Sequence, residues 1–116
     1  MKLEQIVAEL GLTELSAPAA GAADDISRGY ASDLLSDVLA HAPAGGLLVT
    51  LQVHLNVIAV AGHADLAGVV FAGGRRPEPD VIDKAREEGL ALYVATDDTF
   101  DIVGRLYTLG VRGSGA

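Results

Sequence analysis

Leu47-Leu-Val-Thr-Leu-Gln-Val53, Val69-Val-Phe-Ala72 and Leu90-Ala-Leu-Tyr-Val-Ala95 are three short apolar runs rich in β-branched and aromatic residues. They begin at 47, 69 and 90, so successive starts are 22 and 21 residues apart. That spacing leaves room for one helix between each pair of strands, as a parallel sheet requires. A strand covered on both faces has to be apolar throughout rather than alternating, and Ala67 to Ala72 reads that way. The predicted fold is therefore α/β: a mostly parallel sheet flanked by helices on both faces, built from successive βα units.

The segments around these runs carry helix signals. Between 47 and 69, Asn56-Val-Ile-Ala-Val-Ala-Gly62 suits either a helix or a hairpin partner of the first run. The need for a crossover favours the helix, and its nearly all-apolar surface predicts deep burial. Pro79 to Glu88 is the best-marked helix, with Pro79 at its start, Asp80 in the first turn and Gly89 after its end. A last helix over about Thr99 to Leu109 presents Phe100, Val103, Leu106 and Tyr107 on one side. Upstream, Leu3, Ile6, Val7 and Leu10 repeat at helical spacing and Gly11 follows as a stop. Leu12 to Leu15 suits a short strand, and Ser16 to Ala23 is a loop of small residues. Ser32 and Asp33 suit the cap of a helix whose apolar face is Leu34, Leu35, Val38 and Leu39. Residues 1–110 form one expected domain, and 111–116 a Gly-rich, flexible tail.

Composition excludes several function classes. The 116 residues contain no cysteine, which removes disulfides, thiolate metal sites and a cysteine nucleophile together. No apolar stretch approaches the ~20 residues of a membrane span. The beginning, Met1-Lys2-Leu3-Glu4-Gln5, has no apolar core of a secretory leader. A cytoplasmic location without a membrane partner is the resulting expectation. With 16 acidic against 8 basic residues the net charge is −8, and the one adjacent basic pair is Arg75-Arg76. Nucleic acid is thereby not an expected partner, because duplex binding needs clustered cations.

Three polar turns fall at predicted strand ends, where open parallel sheets bind ligands. Gln52 and His54 share a side if the first strand runs through residue 54, and Asn56 can cap the following helix. Amide and imidazole groups together suit a polar small molecule; the plainer reading is a cap and a backbone contact. Gly73-Gly74-Arg75 can hold an anion, through close backbone N–H groups and a guanidinium, or be a simple turn. Thr96-Asp97-Asp98 is most economically a helix cap.

Motifs for chemistry are missing. There is no G-x-x-x-x-G-K-[ST], no G-x-G-x-x-G, no H-E-x-x-H and no G-x-S-x-G. His41, His54 and His63 have no metal-ligand spacing, so neither a metal nor any other cofactor is expected. Ser32 and Ser36 have no evident base. An acid–base pairing of His54 with Asp33 or Asp37 is the one enzymatic reading, and it requires hydrogen-bond reach in one pocket.

Arg28-Gly-Tyr-Ala-Ser-Asp-Leu-Leu-Ser-Asp-Val-Leu39, together with Val49-Thr-Leu-Gln-Val-His-Leu-Asn-Val-Ile-Ala-Val-Ala61, Gly73-Gly-Arg75 and Gly104-Arg-Leu-Tyr-Thr-Leu-Gly110, resembles the DRTGG domain family over nearly the whole chain. The family occurs beside CBS domains in pyrophosphatases and as short proteins associated with iron-hydrogenase genes. It is similar to the N-terminal domain of HPr kinase/phosphorylase. The resemblance implies an α/β fold, pairing into homodimers and a regulatory, ligand-sensing role without catalysis. The kinase phosphate-binding loop is missing. The family's naming motif is reduced to Asp25-Ile-Ser-Arg-Gly29, with Arg28 in place of one glycine. Tyr30, Ser32, Asp33, Asp37, Gln52, His54, Asn56, Gly73 and Gly74 match the family pattern, and with Arg75 they are the candidate ligand-binding residues. The expected ligand is a small polar or phosphorylated metabolite, a nucleotide included. The alternative is an interaction or assembly module for a redox or metabolic enzyme, such as an iron hydrogenase, that takes no small ligand.

Overall fold

The structure is a computed structural model that describes residues 1–113. Among the described residues five helices and five strands follow one another: α1 (Leu3–Leu10), β1 (Thr13–Ser16), β2 (Gly29–Ala31), α2 (Leu35–His41), β3 (Leu47–Thr50), α3 (Asn56–His63), β4 (Gly68–Phe71), α4 (Pro79–Glu88), β5 (Ala91–Val94) and α5 (Thr99–Thr108). The sheet order is β1-β5-β4-β3-β2. Neighbours from β2 to β5 pair in parallel, and β1 closes one edge antiparallel to β5.

Every residue of β3, β4 and β5 is buried, as a sheet covered on both sides demands. Successive side chains point to opposite faces. Leu47, Val49, Val70 and Tyr93 join Ile6 of α1 and Ile102 and Leu106 of α5 in one core. Leu48, Val69, Phe71 and Leu92 join Val38 of α2, Val57 of α3 and Ala85 of α4 in the other. The expected α/β fold, mostly parallel and helix-flanked on both faces, is the fold observed. Segment 56–63 is the helical crossover between parallel β3 and β4, not a hairpin strand.

Several expectations are corrected. The first apolar run leaves the sheet at Thr50, three residues before Val53. Asp33 Oδ1 accepts from the Leu51 amide at 2.7 Å and from Thr50 Oγ1 at 3.3 Å, and Gln52 N donates to Thr50 Oγ1 at 3.1 Å. These bonds turn the chain outward, so the premise that Gln52 and His54 alternate along a strand fails. Ser32 and Asp33 do not cap α2. Its first flanking residue is Leu34, whose N–H donates to Ser32 Oγ at 3.2 Å. Of the apolar face expected there, Val38 is buried, whereas Leu34 and Leu39 are 65% and 51% exposed. In α3, Val57, Ile58 and Ala61 are buried, but Ala59 and Gly62 face out. α5 packs through Ile102 and Leu106, which leaves Phe100 84% exposed on the other side. β2 carries little strand signal because it is three residues long and includes a glycine; backbone pairing to β3 creates it. The tail does not begin at 111: Val111 is buried, and Arg112 N donates to Ser27 O while Gly29 N donates to Arg112 O. The rest of that expected tail, 114–116, lies outside the described residues. Among the described residues no helix is long and apolar enough to cross a membrane.

Candidate functional site

The four parallel strands all end on one rim of the sheet, and the loops after β2, β3 and β4 meet there. One set of hydrogen bonds and one apolar approach bring the loops together. The Asp33 carboxylate holds the loop after β2 to the start of the loop after β3. Leu51 then reaches the loop after β4, where a Cβ on Gly73 would lie 3.8 Å from Leu51 Cδ2. Thr50 is fully buried and satisfied by these contacts. Asp33 is thus a clasp in the backbone as well as a rim residue.

Tyr30, Ser32, Asp37 and His41 form a second cluster on the α2 side. Tyr30 donates its hydroxyl to the two Asp37 oxygens at 3.0 and 2.9 Å, and His41 Nδ1 lies 3.0 Å from Asp37 Oδ1. The Ser32 and Tyr30 hydroxyls and the His41 ring hold the Asp37 carboxyl below the usual carboxylate range, against a smaller opposing effect of burial. The same carboxylate, with partial burial, pushes the Tyr30 phenol up. The cluster pins edge strand β2 to α2. Because the folded pKa of Asp37 is depressed, its contribution is complete above about pH 4 and disappears as pH falls through the folded value. Asp37→Asn is therefore expected to lower the melting temperature at neutral pH, and the gap to the parent should close in acid. Thermal melts across that range check it; a gap independent of pH would contradict the ionic role.

The remaining candidates are distributed as follows. Gln52 and His54 are exposed in the loop after β3. His54 Nδ1 accepts from Asn56 N at 3.0 Å, so in the neutral ring the proton sits on Nε2 as an outward donor. Asn56 is the first residue of α3 and does not cap it; the histidine serves its amide instead. Gly73 and Gly74 have φ of 66° and 70°, a conformation glycine adopts without strain. Their amides donate to Asp97 O and Ala95 O at 2.8 Å each, and Arg75 N donates to Ala72 O at 3.3 Å. The expected backbone cradle for an anion is already occupied by the chain itself, and of that turn's candidate donors only the Arg75 guanidinium is left without a partner among the described residues. Asp98 caps α5 by accepting from Asp101 N at 2.9 Å, and Asp97 pairs with Arg105 at 2.9 Å.

His54 is bonded to Asn56, Asp33 to the β3 terminus and Asp37 to Tyr30 and His41, so the histidine pairs with neither carboxylate. The acid–base reading loses its geometry. His41 was missed as a site residue, although its i, i+4 spacing from Asp37 on a helix signalled the pair. Thr50 was missed because nothing local marks a hydroxyl buried by a distant carboxylate. Charge pairing adds one more observation. Of the eight basic side chains, Lys2, Lys84, Arg86 and Arg105 form ion pairs. Among the described residues Arg28, Arg75, Arg76 and Arg112 have none within ion-pair distance, in a chain with twice as many acids as bases.

No protein-family model and no curated protein matches the chain. Among solved structures it is similar to the CBS and DRTGG domains of the regulatory region of a Clostridium perfringens pyrophosphatase, complexed with its activator diadenosine tetraphosphate. The TM-score is 0.72 at 12% sequence identity, over 90% of this chain and 45% of that one. The chain therefore spans less than half the length of that neighbour. At such identity the likeness establishes the shared fold: a five-stranded, mostly parallel α/β sheet of the kind found in that regulatory region.

Proposed function

We propose that the chain is a non-enzymatic regulatory domain of the DRTGG type, which works as a homodimer and senses a small polar or phosphorylated metabolite, foremost a nucleotide. The observation that carries this reading is the rim after β3 and β4, where Gln52, His54, Arg75 and Arg76 are exposed while the backbone around them has closed its own hydrogen bonds. Spare guanidinium groups suit phosphate, and amide and imidazole edges suit a base or sugar. The fold it shares with a regulatory region that takes a dinucleotide activator supports the same class of ligand. Thermal shift with AMP, ATP and diadenosine tetraphosphate tests it. At a hundredfold excess over Kd the ligand should stabilise the protein by about 2.7 kcal/mol. Gln52→Ala, His54→Ala and Arg75→Gln should shrink that shift; no shift with any nucleotide, or one that all three variants retain, refutes the site.

A second reading, an assembly module for a redox or metabolic enzyme, is favoured by the outward face of α5, where Phe100, Val103 and Tyr107 are exposed together. The same face is the surface on which we place the homodimer contact. Sedimentation should show a dimer that Phe100→Asp converts to monomer, and the concentration dependence of the melting temperature should disappear with it. A monomeric parent protein would leave this face to a different protein.

A further inference from the structure

A recess of about 340 Å³ lies on the α1/α5 side of the sheet, with Gly29, Tyr30 and Ala31 of β2 along one edge. Ala31 and Val49 form its floor on β2 and β3, Val103 and Leu106 of α5 form one wall, and Val111 forms the other. Its volume falls in the lower part of the range of small-molecule sites. Arg112 lines it too, and this guanidinium is held in place. It stacks 3.7 Å from the centroid of the Tyr107 ring, and Nη1 donates to Tyr107 O at 2.8 Å and Val111 O at 3.1 Å. Its other nitrogens meet no acceptor among the described residues, and none of the chain's 16 acidic residues pairs with it there. An apolar recess bearing one fixed, unpaired cation is complementary to a molecule with an apolar body and a single negative head. Hydroxyl-rich metabolites are disfavoured, because most of the lining is apolar and would leave several of their hydroxyls without partners.

We infer that the recess between β2 and α5 binds an apolar monocarboxylate, with a short alkyl or single-ring body against Val49, Val103, Leu106 and Val111 and its carboxylate on Arg112. Tyr30 lines this recess, but Gln52, His54, Arg75 and Arg76 of the polar rim do not, so variants at those four positions test the two sites separately. Calorimetric titration of the full chain with octanoate, 3-phenylpropionate, 1-octanol and octylamine tests it. Both carboxylates should bind one to one, the alcohol about tenfold more weakly or worse, and the amine not at all. Arg112→Gln should reduce octanoate binding to the level of the alcohol. Val103→Trp, which fills the recess from its α5 wall, should abolish all binding while far-UV circular dichroism still reports a folded chain. Gln52→Ala and His54→Ala should leave octanoate binding unchanged. The inference is overturned if octanoate fails to bind at millimolar concentration, if both recess variants retain it, or if the amine binds equally well. It is also overturned if no probe binds and Val103→Trp turns a dimer into a monomer, for then the recess is a subunit contact.

Discussion

Replacing Phe71 by alanine is expected to destabilise the protein by about 3–5 kcal/mol, a large part of the roughly 5–15 kcal/mol that holds a domain together. Phe71 is wholly buried in β4, the middle strand of five, and its ring belongs to the core shared by α2, α3 and α4. Removing it strips apolar area from the fold and leaves a void that closely packed neighbours cannot close, since they are held on several different helices and strands. The melting temperature should fall by roughly 10–25 °C. Phe100, the only other phenylalanine, supplies the control: at 84% exposed on α5, its change to alanine should move stability by no more than about 0.5 kcal/mol in the monomer. Equal effects of the two substitutions would mean that the core is wrongly assigned.

Gly46→Ala should cost about 2–3 kcal/mol, although it adds a single methyl group. A Cβ there would stand 2.8 Å from Pro43 O and 3.3 Å from Arg28 O. Neither carbonyl is free to retreat. Pro43 O accepts from Gly46 N at 3.0 Å, and Arg28 O accepts from Leu47 N at 3.1 Å, the bond that starts the pairing of β2 with β3. Relief of the clash therefore loosens the edge strand that carries Tyr30 and leads to Asp33. Gly62→Ala is the informative contrast: it lies in α3 with open space around a built Cβ, so the same methyl should stabilise by about 0.5–1 kcal/mol. Chemical denaturation of the two variants checks the pair, and a neutral or stabilising Gly46→Ala would show that the β2–β3 junction is looser than described.

These two contrasts separate what is local from what is not. The two phenylalanines each sit in an apolar pattern, one in a strand and one on a helix side with Val103, Leu106 and Tyr107. α5, however, offers two apolar stripes, and the sheet accepts the one through Ile102 and Leu106. At the rim, Gln52, His54 and Gly73-Gly74-Arg75 were legible because strand ends and turns have a local chemistry. The bonds that define their roles were not: Asp33 reaches Leu51 across 18 positions, and Asp97 O takes the Gly73 amide across 24. No spacing rule anticipates carbonyls from the loop after β5 filling a glycine-rich turn.

From sequence alone, the helices α1, α4 and α5 and the three central strands with their parallel direction followed, and the need for a crossover favoured a helix at 56–62, because apolar periodicity and crossover length are written along the backbone. The tertiary structure alone decided where β3 stops, that β2 exists, which face of α5 meets the sheet, and that Val111 and Arg112 close over the edge. Each of these depends on hydrogen bonds or packing between residues far apart in the chain, whose free energy exists only when the fold has brought them together.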